Sequence, residues 1–195
     1  MYKLLSLTIV GTAPLVMHNG QTADPLNKYA KMLKAVSSKR KKTEADYEEL
    51  ARIEFFAGLY MDQNEPAIPA RLLEAAVVEG ARKSKSGKQV QAGVIVEKHA
   101  ALIYDGPRTA KALFEDERFR LAVPVRVGQV RVVRTRPYFA RWSAAIELSY
   151  LEDIVNPADL TGAVRAAGML VGLGDWRPRY GRFALQQDLS QALAA

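Results

Sequence analysis

The chain has 195 residues, about half of them apolar, and a formal charge of +7, so it is long enough for one well-filled domain and suited to an anionic partner. It has no cysteine and two histidines (His18 and His99), which excludes disulfides, thiolate chemistry and a zinc site built on Cys or clustered His. No apolar run reaches the roughly 18–20 residues of a membrane helix, and a signal peptide's basic-then-apolar order is absent at the start, so a soluble, cytoplasmic protein is expected.

In chain order, residues 3–12 read as a strand with Leu5, Leu7 and Ile9 on one face. Residues 13–23 read as a loop. Asp24-Pro25 predicts a helix start running to about Val36, and 37–42 is a basic loop. Thr43, followed by acids, opens a second helix, which makes 24–62 a helical pair inserted after the first strand. Glu65–Pro69 is extended, and Pro69 opens a third helix, Ala70 to Lys83. Within it Gly80 implies close approach by another element. Residues 83–89 look basic and flexible. Val94–Val96 and Ala101–Tyr104 look like the strands of a hairpin-like excursion. A valine-rich strand region follows from Phe119 to Arg134. Its alternation slips at Gly128-Gln129, which fits either a bulge or a tight turn. Residues 141–150 alternate as a strand, and Asn156-Pro157 caps a helix to about Val171. Residues 182–187 close the chain as a strand before a short helical tail.

With insertions at about 13–66 and 84–118 removed, one α+β domain remains. Its order is strand, helix 70–83, strand 120–134, strand 141–150, helix 157–171, strand 182–187. This β-α-β-β-α-β order predicts a ferredoxin-like, RNA-recognition-type core.

The charge is unevenly spread. Between Glu117 and Glu147 there is no acid and there are seven arginines, while acids gather in the inserted helices. Gly172–Phe183 holds three Gly, three Arg, Trp176, Tyr180 and Phe183. It is not a dinucleotide loop, because Arg177 stands where the sixth-position Gly is needed and a helix precedes it. Gly80 to Lys88 lacks the spacing of a phosphate loop, with Gln89 where Ser or Thr is required. No cofactor or metal is expected, since no carboxylates are paired in the required way. The remaining reading is a polymer grip. Arg177, Arg179 and Arg182 would hold phosphates, Gly172 and Gly174 would give clearance, Tyr180 would stack on a base, and Trp176 suits either the core or a base. Arg71, Lys85, Lys88, Arg131, Arg134 and Arg136 are further candidates for the phosphate backbone. His18, in the first loop, fits either a ligand contact or the general base of a metal-independent ribonuclease. His99 reads as structural, and Tyr138, Phe139 and Trp142 read better as core than as stacking platforms.

Ile68-Pro-Ala-Arg-Leu-Leu-Glu-Ala-Ala-Val-Val-Glu-Gly-Ala-Arg82 resembles the Ile-Pro-x-x-x-Leu segment of the RAMP proteins of CRISPR systems, and the Gly-Arg loop before the last strand is similar to their C-terminal glycine-rich loop. The type it most resembles is the crRNA-binding backbone subunit, and a compact phage-encoded relative would share its features at this shorter length. The resemblance implies non-catalytic binding of single-stranded RNA (or DNA) over a basic sheet face. It also implies copies assembled head-to-tail along the strand, or a place in a ribonucleoprotein complex. An interaction protein that sets its basic face on an acidic protein is the other non-enzymatic class.

Overall fold

A computed structural model describes residues 1–194, which form a mixed α+β architecture with antiparallel sheets. The first strand, β1 (Tyr2–Gly11), is central to the main sheet. It pairs along its length with β9 (Ser143–Leu151), from Tyr2↔Leu151 to Val10↔Ser143, and on its other side with β10 (Phe183–Leu185). A two-residue strand, β5 (Val94–Ile95), pairs with the far edge of β9, so the order is β10-β1-β9-β5. Alternation sorts the faces. Ala144, Ile146, Leu148 and Tyr150 of β9 are buried with Ile9 and Leu185, and each large apolar side chain in that layer contributes about 1.5–3 kcal/mol of burial.

The layer they bury against is α3 (Ala70–Lys83) and α6 (Pro157–Ala166). These helices touch at Gly80, where a Cβ would run into the Ala163 carbonyl and the Ala167 nitrogen, so the close approach expected from this glycine is present. Asn156 caps α6 by accepting from Asp159 N at 2.8 Å with Pro157 in the first turn. After α6 one π-type turn (Ala167–Val171) leads into the Gly-Arg loop.

The helical pair is present with a shifted start. Asp24 accepts from Leu26 N at 2.8 Å and closes a local turn, and it is Asn27 that caps α1 (Lys28–Ser37) by accepting from Tyr29 N at 2.9 Å. Thr43 and Asp46 form a reciprocal capping box on α2 (Glu44–Gly58).

Three expectations are corrected. First, the Arg-rich stretch does not join the main sheet. It forms a hairpin, β7 (Arg120–Val127) and β8 (Val130–Phe139), whose root pairs with β2 (Leu15–Val16). Gly128-Gln129 is its two-residue turn, with Gly128 at φ +60° as favoured hairpin turns require. Second, the two apolar runs of the 93–118 region do not pair with each other. Val94–Ile95 enters the main sheet, and β6 (Ala100–Ala101) pairs with β4 (Glu65–Ile68), which also pairs with β3 (Met61–Asp62). Third, the segment expected to be flexible after α3 turns at Ser84–Ser86 into α4 (Gly87–Gly93). A short α5 (Ala110–Glu115) precedes β7, and α7 (Gln186–Ala194) follows β10 as the expected helical tail, with Ala195 beyond the described residues.

Candidate nucleic-acid interface

Two loops separated by most of the chain are laced together by main-chain bonds. Gly181 N donates to Pro14 O at 2.8 Å, Asp175 N to Val16 O at 2.8 Å and Thr12 N to Arg182 O at 2.9 Å. Lacing this tight needs glycine. Gly174 has φ +78° and a Cβ there would strike the Val16 carbonyl, while Gly172, also at φ +78°, is buried against Tyr180 O and Gly181. Gly174 therefore gives clearance to the protein's own first loop and Gly172 to the far end of the Gly-Arg loop, where the residue types alone suggest a ligand.

The lacing carries Asp175 to the centre of a side-chain cluster. Its Oδ2 lies 3.3 Å from His18 Nδ1 and 3.3 Å from Arg136 Nε, and its Oδ1 accepts from Trp176 N at 3.0 Å. The hydrogen bond from His18, with the Trp176 N–H and Arg136 adding to it, holds the Asp175 carboxyl below the ordinary carboxylate range against the opposing effect of burial. Tyr60, at the end of α2, donates its hydroxyl to His18 O at 2.6 Å. Burial pushes that phenol up, and Arg71 and Arg177 are close enough to pull it back.

Between the loop and the outer face of α3 runs an open groove of about 740 Å³. Trp176 and Arg177 line one wall, and Arg82 and Lys83 line the other beside Glu79, which pairs with both. Trp176 is half-buried at φ +51°, its ring centroid 6.0 Å from that of Tyr180, so it belongs to the groove wall and not to the core. Arg179 lies 6.0 Å over the Tyr180 ring. Arg71, Arg177 and Arg179 are exposed and have no ion-pair partner among the described residues.

The other candidates are divided by their partners. Arg182 donates Nε to Pro178 O at 2.7 Å and braces the loop. Arg134 is paired with Glu54, a carboxylate only 6% exposed whose other oxygen accepts from Thr135 N at 2.9 Å. Arg136 is committed to Asp175. Arg131 is exposed on the outer half of β8, away from the groove. Lys85 (φ +63°) and Lys88 are exposed on the turn after α3 and on α4, and neither lines the groove. His99 Nδ1 accepts from Ala70 N at 3.1 Å and satisfies a free amide at the start of α3, a structural role. Phe139 and Trp142 are core residues, with Trp142 Nε1 on Ala13 O at 2.9 Å, and Tyr138 is half-buried.

The expected basic sheet face is not found on the main sheet. Its outward positions are Leu4, Ser6, Thr8 and Val10 on β1 and Ser143, Ala145, Glu147 and Ser149 on β9, with no arginine among them. The residues missed from sequence are Asp175, Tyr60, Glu54, Arg82 and Lys83. Asp175 had a signal as the single acid within Gly172–Phe183, and Lys83 as the start of the basic segment 83–89. No protein-family model matches the chain, and a search of curated proteins finds no match. No group of three or more His, Asp or Glu among the described residues could hold a metal ion, and no described helix is long and apolar enough to cross a membrane.

Proposed function

We propose that the protein binds single-stranded nucleic acid, RNA in preference to DNA, without cleaving it, and that it works in the cytoplasm as a repeated subunit along the strand or in a ribonucleoprotein complex. The observation that carries this reading is the groove beside α3, where Arg177 carries uncompensated charge next to the half-exposed Trp176, whose ring is 6.0 Å from that of Tyr180, with Arg71 free on the same helix. Forked guanidinium groups suit phosphate oxygens, and neighbouring ring faces suit unstacked bases, which a duplex does not offer. The preference for RNA rests on the resemblance of Ile68–Arg82 and the Gly-Arg loop to RAMP proteins. The order β10-β1-β9-β5 with α3 and α6 on one face supports a ferredoxin-like reading in which Val94–Ile95 serves as the second strand. The groove lies on the helix side, so the strand is proposed to run there and not over the open sheet.

The test is fluorescence anisotropy with labelled single strands across a salt series. Log affinity should fall with log salt by about 0.7 for each neutralised phosphate, and Arg177→Ala should lower affinity and reduce the slope by about that amount. A flat salt response, or an unchanged slope in both Arg177→Ala and Arg71→Ala, overturns the reading. His18 offers the one route to catalysis, because Asp175 beside Nδ1 could orient its ring. The binding reading expects hairpin RNA to survive incubation without metal at the same rate with wild type and with His18→Ala.

A further inference from the structure

A separate pocket of about 330 Å³, near the small end of the roughly 300–1,000 Å³ of small-molecule sites, is lined by His18 and Arg136, the two side-chain partners of Asp175. We propose that this pocket receives a single nucleobase, flipped out of the strand whose phosphates lie in the groove, and that it favours guanine over adenine. The proposal rests on the binding reading above, and the pocket's own chemistry carries it further.

The walls are apolar where a base would lie flat, from Ala30 and Leu33 of α1 and Ala57 and Gly58 of α2. The polar lining comes from Arg134 and Arg136, two residues apart on β8, from His18, Asn19 and Thr22 of the first loop, and from Glu54 of α2. The two arginines here differ from those of the groove in being neutralised, Arg134 by Glu54 and Arg136 by Asp175. An ion-paired arginine is a poor anchor for phosphate but keeps its remaining N–H groups for a neutral acceptor. Arg134 uses Nη1 on Glu54, and Arg136 uses Nε on Asp175 and Nη1 on Thr135 O at 3.4 Å. Nη2 of each has no hydrogen-bond partner among the described residues. Asn19 gives one of its two amide hydrogens to Leu59 O at 3.3 Å, which leaves its carbonyl oxygen to accept.

The pocket thus offers paired donors from the two arginines, acceptors at the Asn19 carbonyl and at the ring nitrogen of neutral His18 that does not face Asp175, and the Thr22 hydroxyl, and both Glu54 oxygens are already engaged. Guanine has adjacent acceptors at O6 and N7 and donors at N1 and N2, whereas adenine puts a donor beside N7. Asp175 connects the two sites. It lines the groove, and its carboxylate positions His18 and Arg136 of the pocket. A strand held by its phosphates in the groove at Asp175 therefore has a base-sized recess lined by the partners of that same carboxylate.

The experiment compares oligouridylates of one length that carry at a single internal position guanosine, adenosine or an abasic sugar. The guanosine strand should bind about tenfold more tightly than the abasic one, the value of one good bidentate contact, with adenosine between. Ala30→Phe, which fills the recess, should bring the guanosine strand down to the abasic affinity. Equal affinities for the three strands with an intact salt slope overturn the pocket and leave the groove reading standing. If no strand binds, the groove reading fails, and the pocket is judged by titrating free guanosine into protein with labelled methyl groups. Shifts at Ala30, Leu33 and Ala57 then support it, and their absence overturns it.

Discussion

The arginines that matter are distinguished by their acids. Glu54 reaches β8 from α2 and fills two roles, neutralising Arg134 and accepting from Thr135 N, so its replacement strands a charge and a main-chain donor together. Glu54→Ala should cost about 3 kcal/mol, read as a lower urea midpoint. Asp175→Asn should cost less, about 2 kcal/mol, because the cluster is partly solvated, but should also loosen the Gly-Arg loop and weaken nucleic-acid binding more than that stability loss explains. Asp175 is held below its ordinary value, so its contribution is complete above the unfolded carboxylate pKa and is lost as pH falls through the lower folded one. The same sign holds at Asp46, whose bond to Lys39 and place in the capping box hold it to about 2 against an ordinary 3.8. The stability gap between wild type and Asp46→Asn should therefore be widest above that ordinary value and close as pH falls to about 2, as measured by acid-dependent denaturation.

Among the elements, the contact of α3 with α6 sets where the groove lies, and it is backbone against backbone. In an exposed helix Gly→Ala stabilises by roughly 0.5–1 kcal/mol, but at Gly80 the new methyl meets the Ala163 carbonyl and Ala167 nitrogen, which cannot turn aside. Gly80→Ala should reverse the usual sign and destabilise by about 1–3 kcal/mol in thermal or urea unfolding. The β7–β8 arm is legible in sequence as alternating strands but not as a separate sheet. Its outer valines, Val130 and Val133, are both 63% exposed, and alternation looks the same whether a strand faces a core or reaches into solvent. Conversely Val94–Val96 is legible as a strand but not its partner, because so short a run carries no register; pairing with the free edge of β9 is what puts Val94–Ile95 in the main sheet.

At the scale of the molecule, charge is divided between faces. The outward face of the main sheet is neutral apart from Glu147, which pairs with Lys98 at 3.1 Å, and the uncompensated arginines stand on the helix side. Ser6→Ala and Ser149→Ala should accordingly leave nucleic-acid affinity unchanged in the same anisotropy assay that responds to Arg177→Ala. A loss of binding in either sheet variant would move the strand to the open face and count against the groove.

What the sequence determined by itself was local. Capping at Thr43 and Asn156, the span of α3 and the alternation of β1, β7, β8 and β9 all depend on neighbours within a few residues, where composition and spacing report directly. It also marked Gly172–Phe183 as unusual. Only the tertiary structure decided which arginines are free. The stretch from Arg118 to Arg141 contains no acid, yet Glu54 and Asp175 arrive from far along the chain and neutralise Arg134 and Arg136, while Arg71 and Arg177 stay exposed and unpaired among the described residues. An ion pair acts over a few ångströms of space regardless of how many residues lie between its partners, so charge along a sequence does not translate into charge on a surface.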